Sequence, residues 1–397
     1  MTKNQILKIT DECIKCGFCE SVCPTLPAAG YNSIKGARGR IILAQFAINT
    51  GEELQISDSF YSCLDCFACL QVCPAGVNAG ELSHLMKEEI AEKHINGNRV
   101  DIADMIKETI LRFRNPLGLN KESAEWASSI NFDESDTILF TGDMYQLMAY
   151  TKFINYVRKY FDRNLFNAFS RLISRHPDLI KLSRHFYDIN MKNKMENNLR
   201  NIVRLLKMSG VKFNYLREDE DYPGMFLYDL GYINEFKKYA NNVYNKLKKL
   251  NVKKIICIDP HTYDLMKNIY PEYIKNYGLE IYYYTDLINM NFEKTSEEIT
   301  VQQPCHIVLH KNNYRALDIL KKSANVKLNE PENLTSCCGG PDELLFPEIA
   351  SEVSYKRYNN LKQTAGKIIT ICPLCYNNLS YDENVIDFSD FMIKLIK

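Results

Sequence analysis

A cysteine motif that occurs twice in the first 75 residues constrains the fold of this chain more than any other feature. The motif C-x-x-C-x-x-C-x-x-x-C-P is formed first by Cys13, Cys16, Cys19 and Cys23, and again by Cys63, Cys66, Cys69 and Cys73. A tight loop with a thiolate at every third residue can surround three corners of an iron–sulfur cube. The spacing therefore predicts two [4Fe–4S] clusters and a role in electron transfer.

The fourth cysteine of each motif precedes a proline, and in two-cluster ferredoxins that cysteine ligates the neighbouring cluster. On this pattern a first set of ligands consists of Cys13, Cys16, Cys19 and Cys73. A second set consists of Cys63, Cys66, Cys69 and Cys23. The alternative is a pair of zinc knuckles, but zinc needs only four ligands and makes no use of this repeated spacing. Arg38 and Arg40, between the motifs, either offset cluster charge or are solvated, and we expect solvated side chains.

Length and charge limit the other function classes. A chain of 397 residues can form two or three domains. Lys plus Arg and Asp plus Glu each number 49, so no overall field attracts nucleic acid. The start lacks the pattern of a secretory signal, and no apolar run approaches the roughly 20 residues that span a bilayer. We therefore expect a cytoplasmic protein, in which clustered cysteines indicate metal ligands and not disulfides.

The C-terminal two-thirds alternates short apolar runs with amphipathic helical segments. This pattern predicts an α/β fold, and it follows a predicted linker at 96–135 that contains the break Asn115-Pro116-Leu117-Gly118. The predicted strands are Thr137–Phe140, Val211–Tyr215, Lys254–Ile258, Glu280–Tyr284, His306–Leu309, Val326–Leu328 and Lys367–Ile371.

An internal repeat divides this α/β region. Residues 254–263 align without gaps with residues 367–376, and residues 205–213 resemble 319–328. We therefore predict a first repeat at 136–290 and a second repeat at 291–397, after an N-terminal domain at 1–95.

The two repeats differ at the positions that carry cysteine. A third set, all in the second repeat, consists of Cys305, Cys337, Cys338, Cys372 and Cys375. In the first repeat Asp143, Tyr222-Pro223-Gly224, Asp259 and Thr262 stand at the matching places. Oxygen side chains cannot replace soft thiolates around an iron–sulfur cluster, so the first repeat is predicted to hold none. Cys257 belongs to a strand and is expected to be a core thiol.

The first repeat also carries an insertion at 151–196 that is basic and aromatic. Its cationic residues include Arg158, Lys159, Arg163, Arg171, Arg175, Lys181 and Arg184. Such a segment can lie on an anionic membrane face or contact a partner protein. The alternative is a solvated helical hairpin.

The paired motifs, followed by two units of which one has the pattern C…C-C-G…C-P-x-C, resemble the iron–sulfur subunits of heterodisulfide reductase and their relatives. Those relatives include the iron–sulfur subunits of anaerobic glycerol-3-phosphate dehydrogenase and of glycolate oxidase. The resemblance extends from Cys13 to Tyr376. It implies an overall α/β protein with an N-terminal helical two-cluster ferredoxin domain and two CCG-type units, of which the first is degenerate.

The resemblance also implies a third [4Fe–4S] cluster, of non-cubane form in heterodisulfide reductases, on the third set. Zinc is the alternative occupant of that set. A thioredoxin-like use of Cys372-Pro373-Leu374-Cys375 alone leaves the other three cysteines unexplained.

The function that follows is electron transfer between a partner FAD-containing dehydrogenase, acting on a hydroxy acid or glycerol 3-phosphate, and a quinone or other acceptor. The flavin is assigned to the partner because this chain has no nucleotide-binding glycine fingerprint. Peripheral contact with the cytoplasmic membrane face is expected through 151–196. The alternatives are a thiol/disulfide reductase acting at the third set and a scaffold in which the first repeat serves only for docking.

Overall fold

The computed structural model describes residues 2–51, 55–93, 100–158, 162–309, 315–332, 334–340 and 343–396. Part of the predicted linker, 96–99, and residues 159–161 of the insertion, which include Lys159, lie outside these ranges.

The N-terminal third consists of short helices that hold the two cysteine motifs in the loops between them. Its helices are α1 Thr2–Asp11, α2 Thr25–Ala28, α3 Ala37–Thr50, α4 Ser57–Tyr61, α5 Ala68–Gln71, α6 Ala79–Lys93, α7 Asp101–Phe113 and α8 Asn120–Ala124, with 3₁₀ turns at Phe18–Glu20, Ser33–Lys35 and Glu125–Ala127. Helices α1, α3 and α6 pack together around Ile6, Ile41 and Ala44, which are buried. This small core brings the two cysteine loops to neighbouring positions.

The segment predicted as a linker is packed against the rest of the chain. In α7, Ile102, Ala103, Ile106 and Ile110 are buried. Trp126, the only tryptophan, is also buried, and its ring lies 5.2 Å from that of Tyr215.

The first repeat contains a four-stranded parallel sheet in the order β2-β1-β3-β4. Its strands are β1 Thr137–Phe140, β2 Asn214–Tyr215, β3 Lys254–Cys257 and β4 Glu280–Tyr283. Its helices are α9 Met144–Arg158, α10 Arg163–Arg175, α11 Ile189–Met208, α12 Met225–Asp229, α13 Ile233–Lys249, α14 Pro260–Asp264 and α15 Tyr270–Tyr273, with 3₁₀ turns at Pro177–His185, Arg217–Asp219 and Tyr284–Leu287 and a π turn at Leu265–Ile269. The apolar strands form a sheet buried between helices, as parallel sheets are.

The second repeat contains a parallel sheet of the same order, β6-β5-β7-β8. Its strands are β5 Glu298–Gln302, β6 Asn325–Val326, β7 Lys367–Thr370 and β8 Val385–Asp387. Its helices are α16 Cys305–Val308, α17 Arg315–Ser323, α18 Pro347–Thr364, α19 Pro373–Leu379 and α20 Phe388–Ile393. Two sheets of identical order confirm the predicted fold class, whereas the domain boundaries at 95, 135 and 290 stay predictions.

One predicted strand is wrong. Residues 306–309 are helical because the backbone N–H groups of Ile307 and Val308 donate to the carbonyl of Pro304 and begin α16. The strand that pairs with β7 is β5, immediately before this turn. The apolar run after Pro304 therefore forms a buried helical turn, and the alternating segment before it forms the strand.

The insertion pairs some of its charges with carboxylates in the N-terminal third of the chain. Arg171 binds Asp101 at 2.9 Å, and Arg163 binds Asp58 at 3.0 Å. The outer face of α10 exposes Leu165, Phe169 and Leu172. Among the described residues, no helix has the combination of length and apolar character that crossing a membrane requires.

Candidate metal centres

The two N-terminal motifs adopt the same backbone conformation. Positive φ angles occur just before the second cysteine, at Lys15 and Asp65, and just after it, at Gly17 and Phe67. The left-handed conformation is costly for Phe67 in particular. Because both loops have the same conformation, the first three cysteines of each loop line one common cavity.

The structure brings the first set together around one cavity. Cys13, Cys16, Cys19 and Cys73 line it, with Ile41 and Val77 among the apolar residues beside them. Cys16 is exposed, whereas the other three thiols are partly buried. A cavity with four thiols and apolar walls fits a [4Fe–4S] cluster in its donor chemistry.

The second set surrounds a neighbouring cavity. Cys23, Cys63, Cys66 and Cys69 line it, together with Arg40. Cys23 and Cys73 thus lie beside the cysteines of the opposite motif, as the ferredoxin pattern predicts. Ligation by these residues stays a prediction, but the grouping of the thiols matches it.

The third set also gathers in one place, at the start of helices in the second repeat. Cys372 precedes Pro373 at the N-terminus of α19, Cys305 begins α16, and Cys337 and Cys338 lie in the loop before α18. That loop needs glycine after its cysteines. At Gly339, φ is +83° and a Cβ atom would lie 2.6 Å from the carbonyl oxygen of Ala350, while at Gly340 it would lie 2.5 Å from Leu374 Cγ. Glycine therefore allows the Cys337–Cys338 pair to approach the helix ends closely.

The second and third sets touch. The thiols of Cys66 and Cys337 lie close enough to shift each other's pKa, although one lies in the N-terminal domain and the other in the second repeat. Within the third set, the neighbouring thiols of Cys337 and Cys375 both lower the pKa of Cys338. The three sets therefore form a continuous series of neighbouring thiols.

Burial and mutual repulsion disfavour thiolates at these sites when no metal compensates their charge. Burial raises the pKa of Cys19 to about 11 and that of Cys63 to about 12. Hydrogen bonds with neighbouring thiols and burial raise the pKa of Cys337 and Cys375 well above the usual range, whereas Cys338 accepts two such bonds and its pKa falls to about 6. Buried thiols cannot all ionise when they lie next to one another. A positively charged metal core removes this obstacle, because metal binding replaces their protons.

Over the part of the chain that the structure describes, no three Cys, His, Asp or Glu side chains converge closely enough to surround a single metal ion. An iron–sulfur cluster distributes its ligands around a larger core than one ion does. The cavities that the cysteines line, and not a close convergence on one point, therefore indicate where a cluster fits.

Arg40 is a candidate site residue that sequence reasoning placed wrongly in solvent. Its side chain is 1% exposed. It donates to the Ser59 carbonyl at 2.7 Å and the Thr25 hydroxyl at 3.1 Å, and its Nη1 lies 3.9 Å from Cys23 Sγ. Its positive charge also lowers the pKa of Cys63, against the larger effect of burial. Arg38, by contrast, is 39% exposed and pairs with Glu20.

In the first repeat, polar side chains occupy the place that corresponds to the third set. The buried carboxylate of Glu220 accepts hydrogen bonds from the backbone N–H groups of Thr141 and Gly142 at 2.9–3.0 Å. Asp143 accepts one from Asn115 at 2.7 Å. A Cβ atom on Gly142 would lie 2.1 Å from Thr262 Oγ1. Oxygen side chains and close packing therefore fill the place of the third set, and the absence of an iron–sulfur cluster from the first repeat stays a prediction.

This buried acidic pair gives the first repeat a predicted pH dependence. Burial raises the pKa of Asp143 to about 6 and that of Glu220 well above its usual range. Raised pKa values in the folded state stabilise the protein below the unfolded-state pKa, and that stabilisation is lost as pH rises. Above the usual pKa range of a carboxyl group, we expect the free energy of unfolding to fall less steeply with rising pH in Glu220→Gln than in the natural chain, as measured by urea unfolding of the full-length protein.

The matched control for this measurement is Glu218→Gln, because Glu218 is an exposed carboxylate two residues away. It should leave the pH dependence unchanged. If the free energy of unfolding changed with pH in the same way in the natural chain and in Glu220→Gln, the prediction would be contradicted.

Two parts of the chain match described protein families. Residues 9–77 match the 4Fe-4S dicluster domain, and residues 299–380 match the cysteine-rich domain named CCG. Together with three sets of neighbouring thiols, these matches define an iron–sulfur protein with 4Fe-4S clusters.

Similar proteins cover different shares of the chain. One component of the dihydromethanophenazine:CoB–CoM heterodisulfide reductase of Methanosarcina barkeri is 22% identical over 99% of this chain and 93% of its own length. The EtfAB:quinone oxidoreductase of Syntrophomonas wolfei is 30% identical over 44% of this chain, but the match spans only 27% of that longer protein. A probable glycolate oxidase iron–sulfur subunit of Bacillus subtilis is 39% identical over 22% of this chain and 21% of its own length. No solved structure matches significantly.

The chain thus combines a 4Fe-4S dicluster domain with a CCG cysteine-rich domain, and it is similar along nearly its whole length to a component of a heterodisulfide reductase. The resemblance stated from the cysteine motifs is thereby confirmed.

Proposed function

We propose that this chain is the iron–sulfur electron-transfer subunit of a flavin-dependent dehydrogenase complex, between a partner flavoprotein and a quinone or other acceptor. The observation that carries the proposal is the continuous series of thiols from exposed Cys16 to buried Cys372. When bound, [4Fe–4S] clusters supply one-electron transfer. The residues of this chain hold the three sites next to one another and bury four of the five thiols of the third.

The order of the three sets favours a relay. The first and second sets exchange Cys23 and Cys73 and are therefore neighbours. The second and third sets meet at the contact between Cys66 and Cys337. A protein with a single catalytic centre would not need this series, whereas a protein that carries electrons from one partner to another needs it.

The exposed end of the series has the character of a protein-docking surface. Ile14 and Phe18, on either side of Cys16, are 66% and 61% exposed, and Ile42 and Phe46 are exposed on α3. Large apolar side chains on a surface often mark a protein contact. We assign the flavoprotein partner to this end, because a partner there approaches the first set most closely.

The partner assignment rests on the relatives and on the sequence. An EtfAB:quinone oxidoreductase and glycolate oxidase subunits are among the similar proteins. The chain itself has no glycine fingerprint for a dinucleotide. The hydride chemistry on a hydroxy acid or glycerol 3-phosphate is therefore assigned to the partner's FAD.

Attachment to the cytoplasmic membrane face is part of the proposal. Since Arg163 and Arg171 are paired within the chain, apolar Leu165, Phe169 and Leu172 on α10 would carry most of the contact. This arrangement makes the contact less dependent on anionic lipid than the sequence alone indicates.

One observation favours the alternative function of a thiol/disulfide reductase. A cavity lined by Cys23, Cys337 and Arg357 reaches the third set from between the N-terminal domain and the second repeat. A disulfide substrate could enter there. The loss of all five cysteine positions in the first repeat opposes cleavage by two cooperating clusters.

The test is anaerobic purification followed by iron, sulfide and zinc analysis and EPR spectroscopy. About twelve irons are expected, because the first two sets account for only two cubes. The dithionite-reduced protein should be reoxidised by menadione, while 2-hydroxyethyl disulfide should leave its EPR signals unchanged. About eight irons with one zinc would overturn the third cluster, and a new signal that depends on the disulfide would favour the reductase.

A further inference from the structure

The first repeat places a histidine against the third set. Helix α14 follows β3 at the position where α19 follows β7. Asp259-Pro260-His261-Thr262 thus corresponds to Cys372-Pro373-Leu374-Cys375. Asp259 Oδ1 accepts hydrogen bonds from the backbone N–H groups of His261 and Thr262, both at 3.0 Å. Asp259 therefore caps α14 where Cys372 begins α19, and the helix remains formed although its cysteines are absent.

His261 extends from this helix across the contact between the repeats. It is buried, and its Nδ1 lies 3.9 Å from Cys372 Sγ. For a sulfur acceptor this distance corresponds to a long hydrogen bond. Asp259 Oδ1 is 3.8 Å from the same nitrogen, which is too far for a bond to oxygen. Of these two neighbours, the Cys372 sulfur is the acceptor that the Nδ1 distance allows.

The surroundings hold the imidazole of His261 in place. Its ring packs on that of His306, with centroids 4.3 Å apart. His306 follows Cys305 and is hydrogen-bonded through Nδ1 to Asp264 Oδ2 at 2.8 Å. Asp264, from α14, is fully buried. Both histidines are thus fixed between the first repeat and the third set.

We propose that His261 is a positioning residue that donates its Nδ1–H to the Cys372 sulfur and thereby raises the reduction potential of the cluster on the third set. This inference rests on the proposed function, since it requires a cluster there. Hydrogen bonds to ligand sulfurs are among the factors that set the potentials of iron–sulfur clusters, and partners of metal ligands tune the metal in general. The first repeat, which lacks cysteines at the ligand positions, then serves to tune the cluster of the second.

The test is a potentiometric EPR titration of His261→Leu and His261→Asn in the full-length protein. Leucine removes the donor, and the reduction equilibrium constant of the third cluster should fall about tenfold, a shift of about 59 mV to lower potential. Asparagine places its side-chain N–H close to the position of Nδ1 and should restore most of the natural value. The reduction potential of the cluster on the first set serves as the internal reference and should not change.

The possible failures are distinguishable. If the natural protein shows no third cluster, the proposed function and this inference both fail. If the third cluster is present but its potential is the same in His261→Leu, the inference alone fails. Equal shifts in the leucine and asparagine variants, with unchanged iron content and circular dichroism, would show a packing effect and also overturn the hydrogen bond.

Discussion

Replacing Cys73 by alanine is expected to abolish the EPR signal of the cluster on the first motif, although Cys73 belongs to the second motif. The expectation follows from the predicted exchange of ligands, since Cys73 lines the cavity of Cys13, Cys16 and Cys19. Iron content should fall by about four atoms from about twelve. Iron and sulfide analysis with EPR of the reduced protein measures both effects.

Double variants distinguish exchanged ligands from ligands kept within each motif. Cys16→Ala combined with Cys73→Ala should lose no more iron than either single variant, because both residues serve one cluster. Cys66→Ala combined with Cys73→Ala should lose two clusters. The reverse pattern would show that each motif keeps its own four ligands. Cys257→Ala is the control, because Cys257 is buried in β3 outside all three sets and should leave the iron content unchanged.

Replacing Arg40 by methionine is expected to destabilise the loaded protein by about 3–5 kcal/mol, the range for removing one partner of a buried charged pair. The guanidinium donates to Ser59, Thr25 and Ser62, and it approaches Cys23. Its removal takes one donor away from each of these acceptors and weakens the positive charge near the second site, to which Lys87 also contributes at Cys63. The midpoint of cluster bleaching in urea, under anaerobic conditions, measures the effect.

Two further variants test the cause. Arg38→Met removes an arginine two positions away, whose exposed pair with Glu20 should contribute less than about 1 kcal/mol. Arg40→Lys keeps the charge but not the planar set of donors, so an intermediate midpoint is expected. Similar midpoints for Arg38→Met and Arg40→Met would refute the assigned role of Arg40.

The sequence predicted the grouping of the N-terminal thiols well because cysteine spacing directly limits which thiols can surround one cube. Strands β1, β3, β4 and β7 were also predicted to within one residue, since each is a short apolar run. Strand β5 was missed, although the repeat contained the signal. The offset that aligns Gly142-Asp143 with Pro304-Cys305 also aligns β1 with residues 299–302. Periodicity alone placed the strand in the apolar run after Pro304.

Other features depend on tertiary contacts that have no local signal. Arg40 is followed by Ile41 and Ile42 in α3, and the packing of the chain around Ser59 and Thr25 buries it. The pairing of Arg163 and Arg171 with carboxylates of the N-terminal third could not be read from the charge of the insertion. The position of His261 beside Cys372 likewise arises from the packing of one repeat on the other.

The contact between Cys66 and Cys337 has a consequence for the order in which the protein matures. During synthesis the N-terminal domain leaves the ribosome first, and all eight cysteines of its two motifs are then available. Cys337 emerges only after most of the chain has been made. Cluster insertion can therefore begin in the first cavity, whereas the wall of the second site beside Cys66 is closed only when the second repeat folds onto it. A nascent chain stalled before that point would expose its second site to oxygen.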